Sequence, residues 1–331
     1  MRGNPMLETT TLKLGFLPLL DSAPLIIARE RGFFADEGLD VILVREHSWA
    51  NIRDRVSWGL LDGASMLAPL PLAASLGLAA PAVPMLTGLV LSRHGNAITL
   101  SEPLCQRLES YQLPLGEALR LAIREEQLSL HLATVYPYSC HHYQLRSWLE
   151  QHQLEPDNDL CFSAVPPNRM LEKMEAGELD GYCVGEPWNS LAEQRGSGRI
   201  VATGEQIWPN FCEKVFAVTR SWAERNPNSH LALLRALKRA CDWLGQPAHR
   251  AEALELLTLP PYLDRLAGLL EPERILPLMP QFHLNNRPDP ADAAFLLRQM
   301  QQCRQWSGDD IEQVAAEGFR PDLYDRIASG N

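Results

Sequence analysis

A short apolar run, a polar turn and then a helical pattern recur along this chain, and that repeat constrains its fold more than any other feature. Leu12 to Leu17 reads as a strand, after which Asp21 or Ser22 caps a helix that opens on Ala23-Pro24 and stops at Gly32. Leu39 to Val44 is a β-branched run suited to a buried parallel strand, and Ser48 then caps a helix whose apolar face is Ile52, Val56 and Leu60. Leu130 to Val135 leads through Tyr136-Pro137-Tyr138-Ser139 into His141, His142 and a helix carrying Leu145, Trp148 and Leu149. Asp180 to Val184 leads through Gly185-Glu186-Pro187 into a helix that ends near Gly196, and a strand-like VFAV follows Lys214. Strands alternating with helices in this way predict an α/β sheet architecture, with a mostly helical C-terminal part broken at Pro260-Pro261 and at Pro288 to Pro290.

The chain has 331 residues, above the size at which one hydrophobic core stops growing, so two lobes are expected. A formal charge of −11 without a clustered basic run argues against a nucleic-acid surface. Met1 to Thr11 hold no apolar run of seven residues and no stretch approaches eighteen uninterrupted apolar residues, so the expectation is a cytoplasmic protein without a membrane span. Seven dispersed cysteines without CxxC spacing fit reduced thiols. His141 and His142 are adjacent and project differently, which does not make an i, i+4 metal pair, and no Ser/His/Asp motif is present. The expectation is therefore no enzyme, no catalytic residues, no metal and no cofactor.

Helix starts at strand ends offer N–H groups without intrahelical partners and a positive dipole end, which is favourable for small anions. GFLPLLDSAPLIIARERGFFADEGLDV (15 to 41), SWANIRD (48 to 54), DGASMLAPLPL (62 to 72), VPPNRMLEKMEAGELDGYCVGEPWN (165 to 189) and FRPDLYDRI (319 to 327) resemble the nitrate-binding proteins of nitrate ABC transporters and their bicarbonate-binding relatives. The resemblance spans nearly the whole chain, and with no evident leader it points within the group to the NasS-type cytoplasmic nitrate/nitrite sensors.

The resemblance implies a two-lobed periplasmic-binding-protein type II fold with two crossover strands, residues 1–96 plus 217–331 in one lobe and 97–216 in the other, and nitrate or nitrite held between them. Nitrate has three oxygens, one charge and no donor, so it needs N–H or O–H donors, a cation and apolar walls. The family's site residues fall on Trp49, on either His94 or Asn96, on His141 and on Lys214, with Asn51 as a nearby donor, Lys214 as the counter-charge, and Arg53, His142 and Glu186 as supporting residues. In the turn before His141, Tyr138 and Cys140 replace the family's small residues. Glu186, at a helix start, also suits a capping role. The implied function is a cytoplasmic sensor that sequesters a NasT-type antitermination protein with receiver-like and RNA-binding domains and releases it when ligand binds. The alternatives are a solute receptor of a nitrate or bicarbonate ABC transporter and, more weakly, an enzyme resembling the thiamine-pyrimidine-forming proteins of the same fold.

Overall fold

The computed structural model describes residues 6–78, 80–263 and 271–329. Ten strands follow in chain order: β1 Thr11–Phe16, β2 Asp40–Arg45, β3 Gly63–Leu67, β4 Met85–Arg93, β5 Asn96–Ser101, β6 Leu130–Thr134, β7 Leu160–Ala164, β8 Gly181–Gly185, β9 Gly198–Thr203 and β10 Cys212–Thr219. They form two five-stranded sheets, in the orders β2-β1-β3-β10-β4 and β7-β6-β8-β5-β9. The chain divides into two compact units, one of Met1–Arg93, Phe211–Ala267 and Pro280–Asn331, the other of His94–Asn210 and Gly268–Met279. The sequence reading instead placed all of 217–331 in the first lobe and drew its boundaries at 96/97 and 216/217.

In the first unit β1 pairs in parallel with β2 and β3, while β10 runs antiparallel to both β3 and β4. Every residue of β3, β4 and β10 is buried, so these strands show no alternation of apolar and polar faces, and β10 carries Glu213 and Lys214 inside the unit. Leu14, Ala64, Val215 and Phe216 of the sheet and Ile26 and Leu233 of its helices are fully buried and form the core. The second unit repeats the device: β6 pairs in parallel with β7 and β8, and β5 runs antiparallel to β8 and β9. Ile98, Leu132, Leu145 and Trp148 belong to its core. Chain passage between the units falls at His94, whose φ of 59° is followed by Gly95 at 91° and then by β5.

Two local expectations are corrected. Ser22 does not cap a helix through its side chain: residues Leu20–Ser22 form a 3-10 turn and the Ser22 hydroxyl donates to the Leu19 carbonyl at 2.6 Å. Leu60 is not on the buried face of the second helix, which spans Trp49–Ser57 and is ended by Gly59 at φ +70°. That turn leaves Leu60 53% exposed and puts Leu61, at 2%, into the core in its place. The i+8 extrapolation from Ile52 fails because the glycine lets the backbone reverse before a third turn forms.

Candidate functional site

Each unit carries a group of buried polar side chains at its strand ends. In the first, Ser48 caps the helix Trp49–Ser57 by accepting from the Asn51 N–H at 3.2 Å, which fixes Trp49 in the first helical position. Trp49 is 1% exposed, and its indole Nε1 has no hydrogen-bond partner among the described residues. The ammonium of Lys214, on β10, lies 5.5 Å from the Trp49 ring centroid, within cation–π range. The side chain of Asn51 is exposed and its N–H is given to Ser48, so the structure does not bring it into this group. Arg53, one turn beyond Trp49, is buried and paired to Asp54 at 2.7 Å.

Lys214 is fully buried and ion-paired to Asp21 at 3.0 Å and to Glu213 at 2.9 Å. Burial alone lowers an ammonium's pKa, but Asp21 and Glu213 together outweigh it and raise that of Lys214 above the usual lysine value, so it stays protonated. Burial raises the Asp21 carboxyl, against the opposing pull of Lys214. Two of the three N–H donors of Lys214, the counter-charge of the sequence reading, are given to carboxylates. Sequence reasoning missed Asp21 and Glu213 as its partners. Glu213 was in view as its neighbour in the strand, whereas Asp21 is brought to it only by the packing of the first unit.

In the second unit Ser139 caps the helix Cys140–Gln151 by accepting from the His142 N–H at 3.1 Å. His141 occupies the second helical position with 0% exposure, and Gln144 follows at i+3 on the same face. The Asn96 amide donates to Gln144 Oε1 at 3.0 Å, which ties the start of β5 to that face. His94, two residues earlier, is ion-paired through Nε2 with Glu205. Of the two alternatives in this segment, Asn96 is the one tied directly to the His141 helix. Gln144 gave no sequence signal beyond its spacing from His141.

His142 points elsewhere, its ring edge-on to Phe162 at 6.0 Å, and its pKa is lowered to about 4 by burial and by the nearby Arg146 charge. Glu186 is 2% exposed; its N–H donates to the Gly95 carbonyl at 3.2 Å and its Oε2 accepts from the Ser190 N–H at 3.2 Å. Burial raises the Glu186 carboxyl to about 7 in spite of the Ser190 and Asn189 hydrogen bonds. Among the described residues no group of three or more His, Cys, Asp or Glu side chains is placed to hold a metal ion.

Chemically, the first unit offers an indole N–H and a shielded ammonium, and the second offers an amide, an imidazole and a buried acid. Such donors suit a small oxyanion. Two α/β units joined through β4 to β5 and again into β10 define the periplasmic-binding-protein type II class of solute-binding folds. The NMT1-like family pattern matches residues 6–258, and the chain belongs to that family, among its nitrate-binding and bicarbonate-binding relatives.

The nitrate import ATP-binding protein NrtC of Synechocystis sp. is 41% identical over 82% of this chain and 40% of its own length. The nitrate/nitrite binding protein NrtA of Nostoc sp. is 35% identical over 80% of this chain and 60% of its own length. The crystal structure of the periplasmic nitrate-binding protein NrtA from Synechocystis PCC 6803 superposes with a TM-score of 0.89 at 26% identity, covering 98% of this chain and 90% of that one. The chain thus spans between two-fifths and three-fifths of the length of these two curated relatives.

Proposed function

We propose that this chain binds nitrate or nitrite and serves as the solute-binding component of an ABC-type importer. The observation that carries this reading is the fully buried Lys214 ammonium beside the unpartnered Trp49 indole N–H, in a chain with relatives named for nitrate and others named for bicarbonate. In the first unit, the third Lys214 donor and the indole N–H are available to one edge of a planar anion. A monovalent anion is favoured over a divalent one, because Asp21 and Glu213 already oppose the lysine charge. Calorimetry with nitrate, nitrite, bicarbonate and sulfate tests this, with nitrate and nitrite expected to bind and sulfate not. Trp49→Phe, which keeps the ring and removes the donor, should weaken nitrate binding by about tenfold. Binding of bicarbonate alone would reassign the ligand.

A second reading, a cytoplasmic regulator, is favoured by the cysteines: seven, dispersed along the chain and with Cys161 exposed, fit a reducing compartment. In this reading the ligand-free protein holds an antitermination protein with receiver-like and RNA-binding domains, and nitrate or nitrite releases it. A hundredfold release requires the ligand's affinities for free and complexed protein to differ by about 2.7 kcal/mol. Co-purification of the two proteins should succeed without ligand and fail at saturating nitrate; a complex indifferent to nitrate and nitrite would exclude this reading.

A further inference from the structure

Polar atoms without partners concentrate in one part of the second unit. Asn96 Oδ1, Glu186 Oε1 and Trp188 Nε1 are all buried and have no hydrogen-bond partner among the described residues, while Ser190 and Asn189 hydrogen-bond the Glu186 carboxyl. They lie along one path: Asn96 pairs with Gly185 across β5 and β8, the Glu186 N–H bonds Gly95, and Glu186 Oε2 accepts from Ser190. The same Asn96 is joined through Gln144 to the helix face that carries His141. Buried polar groups are normally satisfied, so an unpartnered carboxyl oxygen with an unpartnered indole N–H two residues on marks a place where a polar guest completes the hydrogen bonding.

An ionised carboxylate there repels an anion and has no donor to give it. A protonated carboxyl has one O–H, which an anion without donors of its own can accept. We infer that Glu186 is a ligand-contacting residue of the second unit, giving its carboxyl proton to a bound oxyanion, so that anion uptake is coupled to proton uptake. The inference rests on the oxyanion reading above. It makes Glu186 a specificity determinant as well, since bicarbonate carries its own O–H and is suited to the ionised carboxylate, whereas nitrate requires the protonated form.

The side chain's ordinary titration supports the geometry, because its carboxyl is already raised to about 7 by burial. Glu193, on the helix Trp188–Gln194, and Tyr182, on β8, act on it electrostatically; His94, paired to Glu205, precedes Gly95, whose carbonyl accepts from the Glu186 N–H, and His141 lies on the helix Cys140–Gln151. Protonation of His141 favours an anion with the same sign, so the pH profile of the wild type alone does not single out Glu186. Substitution does.

The test is calorimetry of nitrate with the full chain between pH 6 and 8.5 in two buffers of different ionisation enthalpy. Nitrate has no proton to exchange in this range, so any linkage belongs to the protein. Wild-type affinity should be flat below about pH 7 and fall about tenfold per unit above it, with net proton uptake on binding. Glu186→Gln keeps a donor that cannot ionise; it should lose the slope and bind nitrate more tightly than wild type at pH 8.5. A Glu186→Gln protein with the wild-type slope would overturn the inference and pass the linkage to His141. Loss of the slope in Asp21→Asn instead would move it to the first unit and overturn it equally. Infrared detection of a protonated carboxyl in the wild type, persisting to higher pH when nitrate is added, gives a readout independent of whether the variant folds; its absence also overturns the inference. Nitrate that binds without proton uptake refutes only this proposal, whereas no binding of nitrate or nitrite at any pH refutes the oxyanion reading itself.

Discussion

At the scale of single residues, Lys214 decides more than any other side chain. It was legible as the family's cation, but not as a group locked between two carboxylates at 2.9 and 3.0 Å. Removing it leaves Asp21 and Glu213 buried and uncompensated, which costs about 3–5 kcal/mol. Lys214→Ala is therefore expected to lower the melting temperature as well as abolish nitrate binding. Lys214→Met combined with Asp21→Asn and Glu213→Gln removes the stranded charges; it should recover most of the stability in thermal unfolding while still failing to bind nitrate. Recovery of binding in that triple variant would remove Lys214 from the site.

Glu186 gives a second prediction at this scale. Its folded pKa of about 7 lies above the ordinary carboxyl value of 4.5, so between those limits the folded protein holds more protons than the unfolded chain. Its contribution is most favourable below the lower limit and is lost as pH rises through the upper one, on the order of 3 kcal/mol in all. Glu186→Gln should flatten that decline in denaturant unfolding of the ligand-free protein between pH 5 and 8. A wild-type profile in the variant would show that this carboxyl is not the group responsible.

At the scale of elements, the helix starts at Trp49 and Cys140 were readable because their caps are chemical. Ser48 and Ser139 each accept an N–H from the first turn, and serine at that position has a local reason to be there. Ser139→Ala should cost about 1 kcal/mol in chemical unfolding and weaken nitrate binding through the displaced His141, whereas Ser139→Asp, which keeps an acceptor, should restore the stability. Equal loss in both variants would mean that the cap is not what positions the helix. The helix ends were less legible. Leu60 continues the apolar spacing of Ile52 and Val56, yet Gly59 turns the chain first, and only packing against β1 decided that Leu61 would be the buried residue. Ser22 shows the converse: a good capping residue by type, it spends its hydroxyl on Leu19 because a 3-10 turn precedes the helix.

At the scale of the whole molecule, the two mixed sheets agree with the α/β class read from the repeating strand-turn-helix pattern. Each contains one strand, β10 or β5, antiparallel to both its neighbours, and nothing in the residues of those strands announces their direction. The cysteines behave as core residues in five of seven cases, with Cys161 exposed and Cys303 intermediate. Burial raises the Cys105 thiol to about 11 and that of Cys212 well above its ordinary value, which suppresses the reactive thiolate. Native-state alkylation followed by mass spectrometry should therefore modify Cys161 first and leave Cys105, Cys212 and Cys241 unmodified until the protein unfolds. Rapid labelling of Cys212 under native conditions would show that the first unit opens far more readily than its packing suggests.

By itself the sequence determined the architecture, the family and the identity of most candidate donors, because these depend on hydrophobic period, on local capping and on motifs contiguous in the chain. The tertiary structure alone decided which donors remain for a ligand. Asp21 reaches Lys214 across 193 positions of sequence, Asn96 reaches Gln144 between separate elements, and Glu186 holds its proton near neutrality only because the surrounding chain shuts out water. Charge pairing, hydrogen-bond satisfaction and desolvation are properties of neighbours in space, and short sequence patterns do not encode which neighbours those will be.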